Sequence, residues 1–360
     1  MKTLKDLVNI DSSTSQDEIV EFIKNKLKNK VKEIKIIKNT INNKTSILVG
    51  VNTPLKNTEP VVLSAHIDTV LPSIKEYRTD PFVAVEANGK LYGLGTIDMK
   101  SFTAIIIDNI EFIKSQPYPI VLAITTDEET TLCCIENVIS NLDILNIKPK
   151  LSIIGEPTNS TFKLKSKGCY EYTLEVFGKT CHSSIPQNGI NAICAISKII
   201  NFIEEIQSEF NLTSNCGTII GGDATNKVPD KATLKFDIRS FDEEQVDLFI
   251  EKIEIKLEEI KNKYAGLEYK LQNTLKIPAF YMKNMQKLQN LINIQENDDI
   301  TFSGGCEAGY YTSYSGDAMI FGVGDLALAH KPNEYVEIDE YKNYTNKFLN
   351  ILQKINFVYY

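Results

Sequence analysis

The stretch that most constrains the fold is residues 61–100, which read VVLSAHIDTVLPSIKEYRTDPFVAVEANGKLYGLGTIDMK. It opens with a short, apolar and β-branched run that predicts a buried strand. The run ends at His66, and Asp68 follows two residues later, where a carboxylate can orient the imidazole of a metal-binding histidine. At the other end, a glycine turn places Asp98 near the start of a helix, where the helix dipole favours a carboxylate. A lone His-x-Asp motif is usually structural, so whether this one marks a metal site depends on the acidic residues further along the chain.

Two more apolar runs predict buried strands that lead directly into acidic residues. Residues 119–124 precede the acidic triplet 127–129, and residues 151–154 precede Glu156. Acids at the end of a buried strand are costly unless they are paired or bind a metal, although a solvated loop is the ordinary alternative. Because open α/β sheets place their sites at the carboxyl ends of strands, the pattern favours a functional site.

The candidate ligands form a set of two imidazoles and three carboxylates. This set suits two zinc ions, each bound by one histidine, one terminal carboxylate and a share of a bridging carboxylate. Two such ions would polarise a carbonyl group and lower the pKa of water held between them. The residues concerned are His66, Asp98, Glu129, Glu156 and His330.

The composition excludes several other classes of protein. The 360 residues carry a formal net charge of −8, which argues against binding to nucleic acid or to an anionic membrane surface. No apolar run reaches the ~18 residues that a bilayer-spanning helix needs. Residues 1–18 contain no apolar signal core, so we expect a cytoplasmic protein. The seven cysteines are scattered without a Cys-x-x-Cys pair, which argues against a disulfide framework and a structural zinc site.

The order of predicted elements indicates an α/β protein with a smaller domain inserted into a larger one. The larger domain is expected to comprise residues 1–165 and 276–360 and to contain a mixed sheet. In residues 166–275, the order strand-helix-strand-strand-helix-strand predicts a ferredoxin-like α+β domain. Its second and fourth strands are expected around 218–221 and 267–271.

Several sequence blocks occur in an order that is similar to one known family. The blocks include SAHIDTV, GKLYGLGTIDMK, TTDEET, IIGEPT, CHSSIPQNGINAI, GGDATNKVP, FDIR, CEAGYY and AHKPNEYV, and they span about 60–336. Together they resemble the dinuclear zinc amidohydrolase/peptidase family that includes acetylornithine deacetylase, succinyl-diaminopimelate desuccinylase and carboxypeptidase G. The resemblance implies a zinc-peptidase-like catalytic domain with an inserted lid and dimerisation domain, and a homodimer formed through that inserted domain.

The resemblance also implies how the five candidate ligands are divided between the two zinc ions. His66 and Glu156 would bind one ion, and Glu129 and His330 would bind the other. Asp98 would bridge the two ions, and cobalt would be able to substitute for zinc.

Five more residues take roles from the resemblance. Glu128 would be the general base that takes a proton from the bridging water, and Asp68 would orient the neighbouring histidine. In the inserted domain, His182 would reach the partner subunit's site and stabilise the tetrahedral oxyanion, assisted by Asn226. Arg239 would bind the substrate's α-carboxylate. Without the resemblance, His182 would be an ordinary loop histidine and Arg239 a surface strand arginine in an ion pair.

The implied reaction is hydrolysis of N²-acetyl-L-ornithine to acetate and L-ornithine, a step of arginine biosynthesis, because the blocks look most like acetylornithine deacetylase. A desuccinylase of N-succinyl-diaminopimelate is an alternative, but it would need an additional cationic contact in a chain with only two arginines. A broader aminoacylase or dipeptidase is another. A metal-free binding or scaffold protein is the alternative from a different class, and the intact ligand set argues against it. In the enzyme readings the partner is a small N-acyl amino acid or peptide.

Overall fold

The computed structural model describes residues 1–39, 44–292 and 298–360. The chain divides into a larger unit, Met1–Ser166 with Phe280–Tyr360, and an inserted unit, Lys167–Ala279. Each unit has its own core of buried apolar side chains. Within the described residues, no helix combines the length and the apolar character needed to cross a bilayer.

Helices and strands follow one another along both units. The helices are α1 (Lys2–Val8), α2 (Asp17–Leu27), α3 (Lys100–Asp108), α4 (Ile110–Lys114), α5 (Cys133–Ile144), α6 (Ala192–Ile206), α7 (Glu243–Lys263), α8 (Met285–Ile292), α9 (Ala308–Tyr314) and α10 (Ile338–Tyr359). The strands are β1 (Glu33–Lys38), β2 (Thr45–Gly50), β3 (Val61–His66), β4 (Val85–Ala87), β5 (Lys90–Tyr92), β6 (Ile120–Thr125), β7 (Leu151–Ile154), β8 (Lys165–Ser166), β9 (Gly168–Phe177), β10 (Leu212–Gly221), β11 (Lys231–Ser240), β12 (Glu268–Ile277), β13 (Phe280–Tyr281), β14 (Thr301–Phe302), β15 (Asp317–Ile320) and β16 (Tyr335–Glu337).

The main sheet of the larger unit has six strands in the order β1-β2-β6-β3-β7-β15. Strands β6, β3, β7 and β15 run parallel, while β1 and β2 are antiparallel to their neighbours. Every residue of β3, β6 and β7 is buried, as is typical of parallel strands that are covered on both faces. Because these three neighbours run in the same direction, the segments that follow them leave the sheet at one edge.

The inserted unit contains a four-stranded antiparallel sheet in the order β10-β11-β9-β12. Along the chain the order is β9-α6-β10-β11-α7-β12, which is the ferredoxin-like arrangement predicted from the sequence. Helix α6 begins after Asn191, whose side-chain oxygen accepts a hydrogen bond from the backbone N–H of Cys194. Apolar residues of α6 and α7 pack with those of the strands in one core. The predicted α/β fold with an inserted α+β unit is therefore confirmed.

The edge strands β10 and β12 are longer than the sequence pattern indicated. Each has ten residues, whereas the expected strands covered 218–221 and 267–271. Much of the added length of β10 is polar and exposed, including Thr213 and Asn215. Such residues give no apolar signal, and only pairing with β11 reveals that they belong to the strand.

Candidate metal centre

The first group of candidate ligands lies at the carboxyl ends of β3 and β7. His66 ends β3, Glu156 follows β7 by two residues, and Asp98 comes from the turn before α3. The His66 Nε2 atom is 2.9 Å from Asp98 Oδ1 and 3.7 Å from Glu156 Oε1. All three side chains are buried, and one ligand atom from each lies within 4.8 Å of the other two. We call this group site A.

A second group, site B, shares Asp98 with the first and adds Glu129 and His330. The His330 Nε2 atom is 3.0 Å from a Glu129 carboxylate oxygen and 3.4 Å from Asp98 Oδ2. Asp98 therefore presents one oxygen to each histidine, the arrangement expected of a carboxylate that two metal ions share. In contrast to site A, the His330 side chain is 52% exposed.

The charges in the two sites perturb one another strongly. Burial opposes a charge on His66, but the carboxylates of Asp68 and Asp98 outweigh it and hold the pKa of His66 well above its usual value. Burial also opposes ionisation of Asp98, yet its contacts with the two histidines hold its pKa below the usual range. Contacts with Asp98 and Glu129 raise the pKa of His330 to about 10. The cluster thus concentrates negative charge where a divalent cation would neutralise it.

The turn after β6 holds Glu128 next to the ligands. The carboxylate of Asp68 accepts hydrogen bonds from the backbone N–H groups of Glu128 and Glu129, at 3.3 and 3.1 Å. Asp68 therefore fixes this turn as well as facing His66. The His66 Nδ1 atom is 3.2 Å from the backbone carbonyl oxygen of Asp68 and 3.6 Å from its carboxylate, so the carbonyl is the closer partner.

The carboxyl groups of Glu128 and Glu156 both have raised pKa values. For Glu128, the causes are burial of the carboxyl group and the charge of Glu156, although the residue as a whole keeps some contact with solvent. For Glu156, the causes are burial and the charge of Asp98. A carboxyl group with a raised pKa is suited to receive a proton from water and to give it up again.

The residues present fit a pair of divalent cations. Glu156 Oε1 is buried and has no hydrogen-bond partner among the described residues, although such an acceptor is costly to leave unpaired. A cation held by site A would satisfy it. Imidazole nitrogens and carboxylate oxygens are also ligands that zinc and its neighbours in the transition series accept.

Comparison with known proteins identifies the family. Residues 62–354 match the family described as peptidase family M20/M25/M40. The chain belongs to this family. Membership in the M20/M25/M40 family confirms the resemblance inferred from the sequence blocks and makes the protein a metal-dependent hydrolase, as predicted.

Relatives in the M20/M25/M40 family include two proteins named acetylornithine deacetylase. That of Buchnera aphidicola subsp. Acyrthosiphon pisum (strain Tuc7) is 33% identical over 318 residues, which are 81% of this chain and 80% of the relative. That of Pasteurella multocida (strain Pm70) is 29% identical over 293 residues, which are 78% of this chain and 76% of the relative.

Solved structures of the family share the fold. A tripeptidase from Staphylococcus aureus subsp. aureus Mu50 has a TM-score of 0.77 at 23% identity, covering 98% of this chain and 97% of its own. A Bacillus subtilis protein described as a dinuclear metal binding peptidase from the M20 family has a TM-score of 0.72 at 14% identity, covering 99% of this chain and 97% of its own.

Three residues predicted from the sequence lie in the inserted unit of this M20/M25/M40 protein. His182 is exposed, and its Nδ1 atom is 2.8 Å from Ser184 Oγ. The N–H group after His182 donates to the backbone carbonyl of Asn226 at 3.1 Å, so the two loops are neighbours. Arg239 donates from Nε to Asp237 at 3.0 Å, and its two terminal nitrogens make no hydrogen bond within the described part of the chain. Their roles toward sites A and B stay predictions.

Sequence reasoning assigned no role to three buried charged residues near the ligands. Glu307 accepts hydrogen bonds from hydroxyl groups, and Glu334 accepts hydrogen bonds from backbone N–H groups around Asp98. Lys100 is buried and lies two residues beyond Asp98 in the sequence. Burial raises the pKa of Glu334 to about 7 and lowers that of Lys100 to about 8. For Glu307 and Glu334, the signal available in the sequence was that each is the acid inside a block, CEAGYY and AHKPNEYV respectively.

Proposed function

We propose that the protein removes the acetyl group from N²-acetyl-L-ornithine by hydrolysis, giving acetate and L-ornithine for arginine biosynthesis. The observation that carries the proposal is the shared Asp98 carboxylate, with one oxygen facing His66 and the other facing His330. Relatives named acetylornithine deacetylase at 33% identity favour this substrate over others that the same chemistry would accept.

We infer that the cofactors are two zinc ions, one in each site, for which cobalt would substitute. His66, Asp98 and Glu156 would hold the ion in site A, and Asp98, Glu129 and His330 would hold the ion in site B. Bound there, the ions would polarise the substrate carbonyl and increase the acidity of water.

In the proposed reaction, the chain's own residues move one proton. Glu128 accepts a proton from water as the water oxygen attacks the acetyl carbonyl carbon. The carbon–nitrogen bond of the tetrahedral adduct then breaks, and Glu128 gives the proton to the leaving amine. The raised pKa of Glu128 suits both steps. During both steps, the hydrogen bond from the backbone N–H group of Glu128 to the carboxylate of Asp68 holds the backbone of Glu128 in place.

We further propose that the inserted unit forms a homodimer and contributes to substrate binding. In support, Ile219 and Ile220 on the edge strand β10 are 49% and 73% exposed, an unusual position for isoleucine unless another surface covers it. The free terminal nitrogens of Arg239 suit a bidentate contact with the substrate's α-carboxylate. In a homodimer, His182 would stabilise the oxyanion at the partner's site.

The cytoplasmic location expected from the sequence also stays a prediction.

A substrate panel tests the proposal. The purified protein, loaded with zinc or with cobalt, is assayed with N²-acetyl-L-ornithine, N-succinyl-L,L-diaminopimelate, other N-acetyl amino acids and dipeptides. We expect the highest kcat/KM with N²-acetyl-L-ornithine. A higher value with the succinyl compound or with dipeptides would replace the proposed substrate by one of the two alternatives. A protein that binds no metal and hydrolyses none of these compounds would favour a binding or scaffold role.

A further inference from the structure

Glu334 lies four residues after His330 and is 2% exposed. Its carboxylate accepts hydrogen bonds from the backbone N–H groups of Ile97 at 2.8 Å, Gly95 at 3.2 Å and Asp98 at 3.4 Å. One side chain thus organises the turn that carries the shared ligand Asp98. A buried carboxylate that accepts several backbone donors is a strong local constraint, because each donor would otherwise be left unpaired.

The backbone of Glu334 makes a second connection to the same turn. The N–H group of Gly93 donates to the carbonyl oxygen of Glu334 at 3.0 Å. The neighbouring residues extend this connection as a strand pair, because β5 and β16 are antiparallel neighbours with Tyr92 opposite Tyr335. Glu334 therefore joins the segment that carries Asp98 to the segment that carries His330.

A buried lysine also follows the turn. Lys100 is fully buried, donates from Nζ to the carbonyl oxygen of Ile10 at 3.0 Å, and interacts electrostatically with Glu334. The side chain of Lys100 thus joins the start of α3 to Ile10.

We infer that Glu334 is a positioning residue that sets Asp98 against His330 and so controls metal binding at site B more than at site A. This inference rests on the two metal sites of the proposed function. Site A also contains Asp98, but its other ligands, His66 and Glu156, are held by the ends of β3 and β7. In site B, two of three ligands lie on segments joined by Glu334, and His330 is half exposed with a positive φ of 59°.

The test is a metal titration of the full-length protein and of Glu334→Gln. The amide keeps the size of the side chain, but its NH₂ group cannot accept the hydrogen bonds that the carboxylate accepts. Metal-free samples are titrated with Zn²⁺ against a chelating dye, and with Co²⁺ while its visible absorption is recorded. Circular dichroism and thermal melting of the metal-free samples report whether each variant is folded. The matched control is Glu337→Gln, an exposed acid three residues further along, and His330→Ala gives the pattern of a lost site B.

We expect Glu334→Gln to retain one ion with nearly parental affinity and to bind the second about 10- to 100-fold more weakly, as removal of outer partners of metal ligands commonly does. Its cobalt spectrum should change toward that of His330→Ala, while Glu337→Gln should match the parental protein. If Glu334→Gln does not fold, Glu334→Asp takes its place, with the same selective loss expected.

The outcomes separate the inference from the proposed function. Parental affinity for both ions in the folded variant, or equal weakening of both ions, would overturn the positioning role and leave the proposed function intact. A parental protein that binds neither ion would overturn both.

Discussion

The hydroxyl group of Ser64 donates a hydrogen bond of 2.6 Å to the buried carboxylate of Glu307. Ser64 lies on β3 two residues before the candidate ligand His66, and Glu307 comes from the segment just before α9. The other carboxylate oxygen of Glu307 accepts from the hydroxyl of Thr125, which pairs with His66 in the sheet. Glu307 therefore links β3 and β6 directly behind the strand ends that lead to His66 and to Glu128 and Glu129.

Replacing Glu307 by alanine should destabilise the larger unit. The change removes the carboxylate that accepts hydrogen bonds from the hydroxyls of Ser64 and Thr125 and opens a cavity in a buried region, which together cost about 2–4 kcal/mol. Urea denaturation of the metal-free protein measures the loss in the free energy of unfolding. The exposed Glu111 on α4 supplies the control, since Glu111→Ala should stay close to parental stability. Equal stability of the Glu307 and Glu111 variants would contradict the structural role.

Glu128→Gln should strongly reduce turnover while leaving metal binding intact. The amide cannot take a proton from water, so kcat should fall by about 10²–10⁴-fold, the usual contribution of a general base. The neighbouring Glu129→Gln provides the contrast, because it removes a ligand of site B and should lower the number of bound ions. Metal analysis beside steady-state kinetics distinguishes the two. Near-parental turnover of metal-loaded Glu128→Gln would exclude Glu128 as the base.

Metal binding should strengthen as the pH rises from about 6 to about 8, because ligands must lose protons before they bind a cation. The raised pKa values of His66 and His330 mean that the metal-free protein holds protons on these imidazoles near neutral pH. A cation displaces those protons, so lower pH favours the metal-free form. Calorimetry in two buffers of different ionisation enthalpy counts the protons released.

The matched control for this pH dependence is His182→Ala. This histidine lies outside both ligand groups, so its removal should leave the number of released protons unchanged. An affinity that does not vary with pH, or binding without proton release, would show that the metal-free ligands are already deprotonated.

The sequence pointed to the candidate metal ligands because each one follows a recognisable local signal. His66 and Glu156 come directly after buried apolar runs, and Asp98 follows a glycine turn. Parallel neighbours in the sheet then bring the strand ends together, a consequence of fold class that needs no knowledge of individual contacts. The same reasoning predicted the ferredoxin-like insertion, since the order of its elements is visible in the pattern of apolar residues.

The supporting contacts could not be predicted in this way. Glu334 binds N–H groups more than 230 residues earlier in the chain, and Glu307 joins two strands that are distant from it in sequence. Asp68 was expected to face His66, yet its carboxylate also binds the turn at Glu128. Each of these contacts depends on three-dimensional register, which periodicity along one segment does not encode.

Arg239→Lys should weaken binding of substrates that carry a free α-carboxylate. A lysine cannot supply the planar pair of donors that the free end of the guanidinium offers, so KM for N²-acetyl-L-ornithine should rise about tenfold. The decarboxylated analogue, which has no α-carboxylate, should be hydrolysed equally by both proteins. Arg78→Lys, at the chain's other arginine, is the control and should leave both substrates unaffected. An equal change in KM for both substrates would argue against a carboxylate contact.

Co-expression of two inactive variants should restore activity if His182 acts on the partner's site. A Glu128→Gln chain retains its histidine, and a His182→Ala chain retains its base, so a mixed dimer has one complete site. Random pairing gives about one half mixed dimers and therefore about a quarter of parental activity. Co-expression of Glu128→Gln with Glu129→Gln is the control, because both changes fall in the same unit and no mixed dimer has a complete site. Recovery absent from both pairs would mean that His182 acts within its own chain, and a His182→Ala protein that is fully active when expressed alone would mean that His182 takes no part in catalysis.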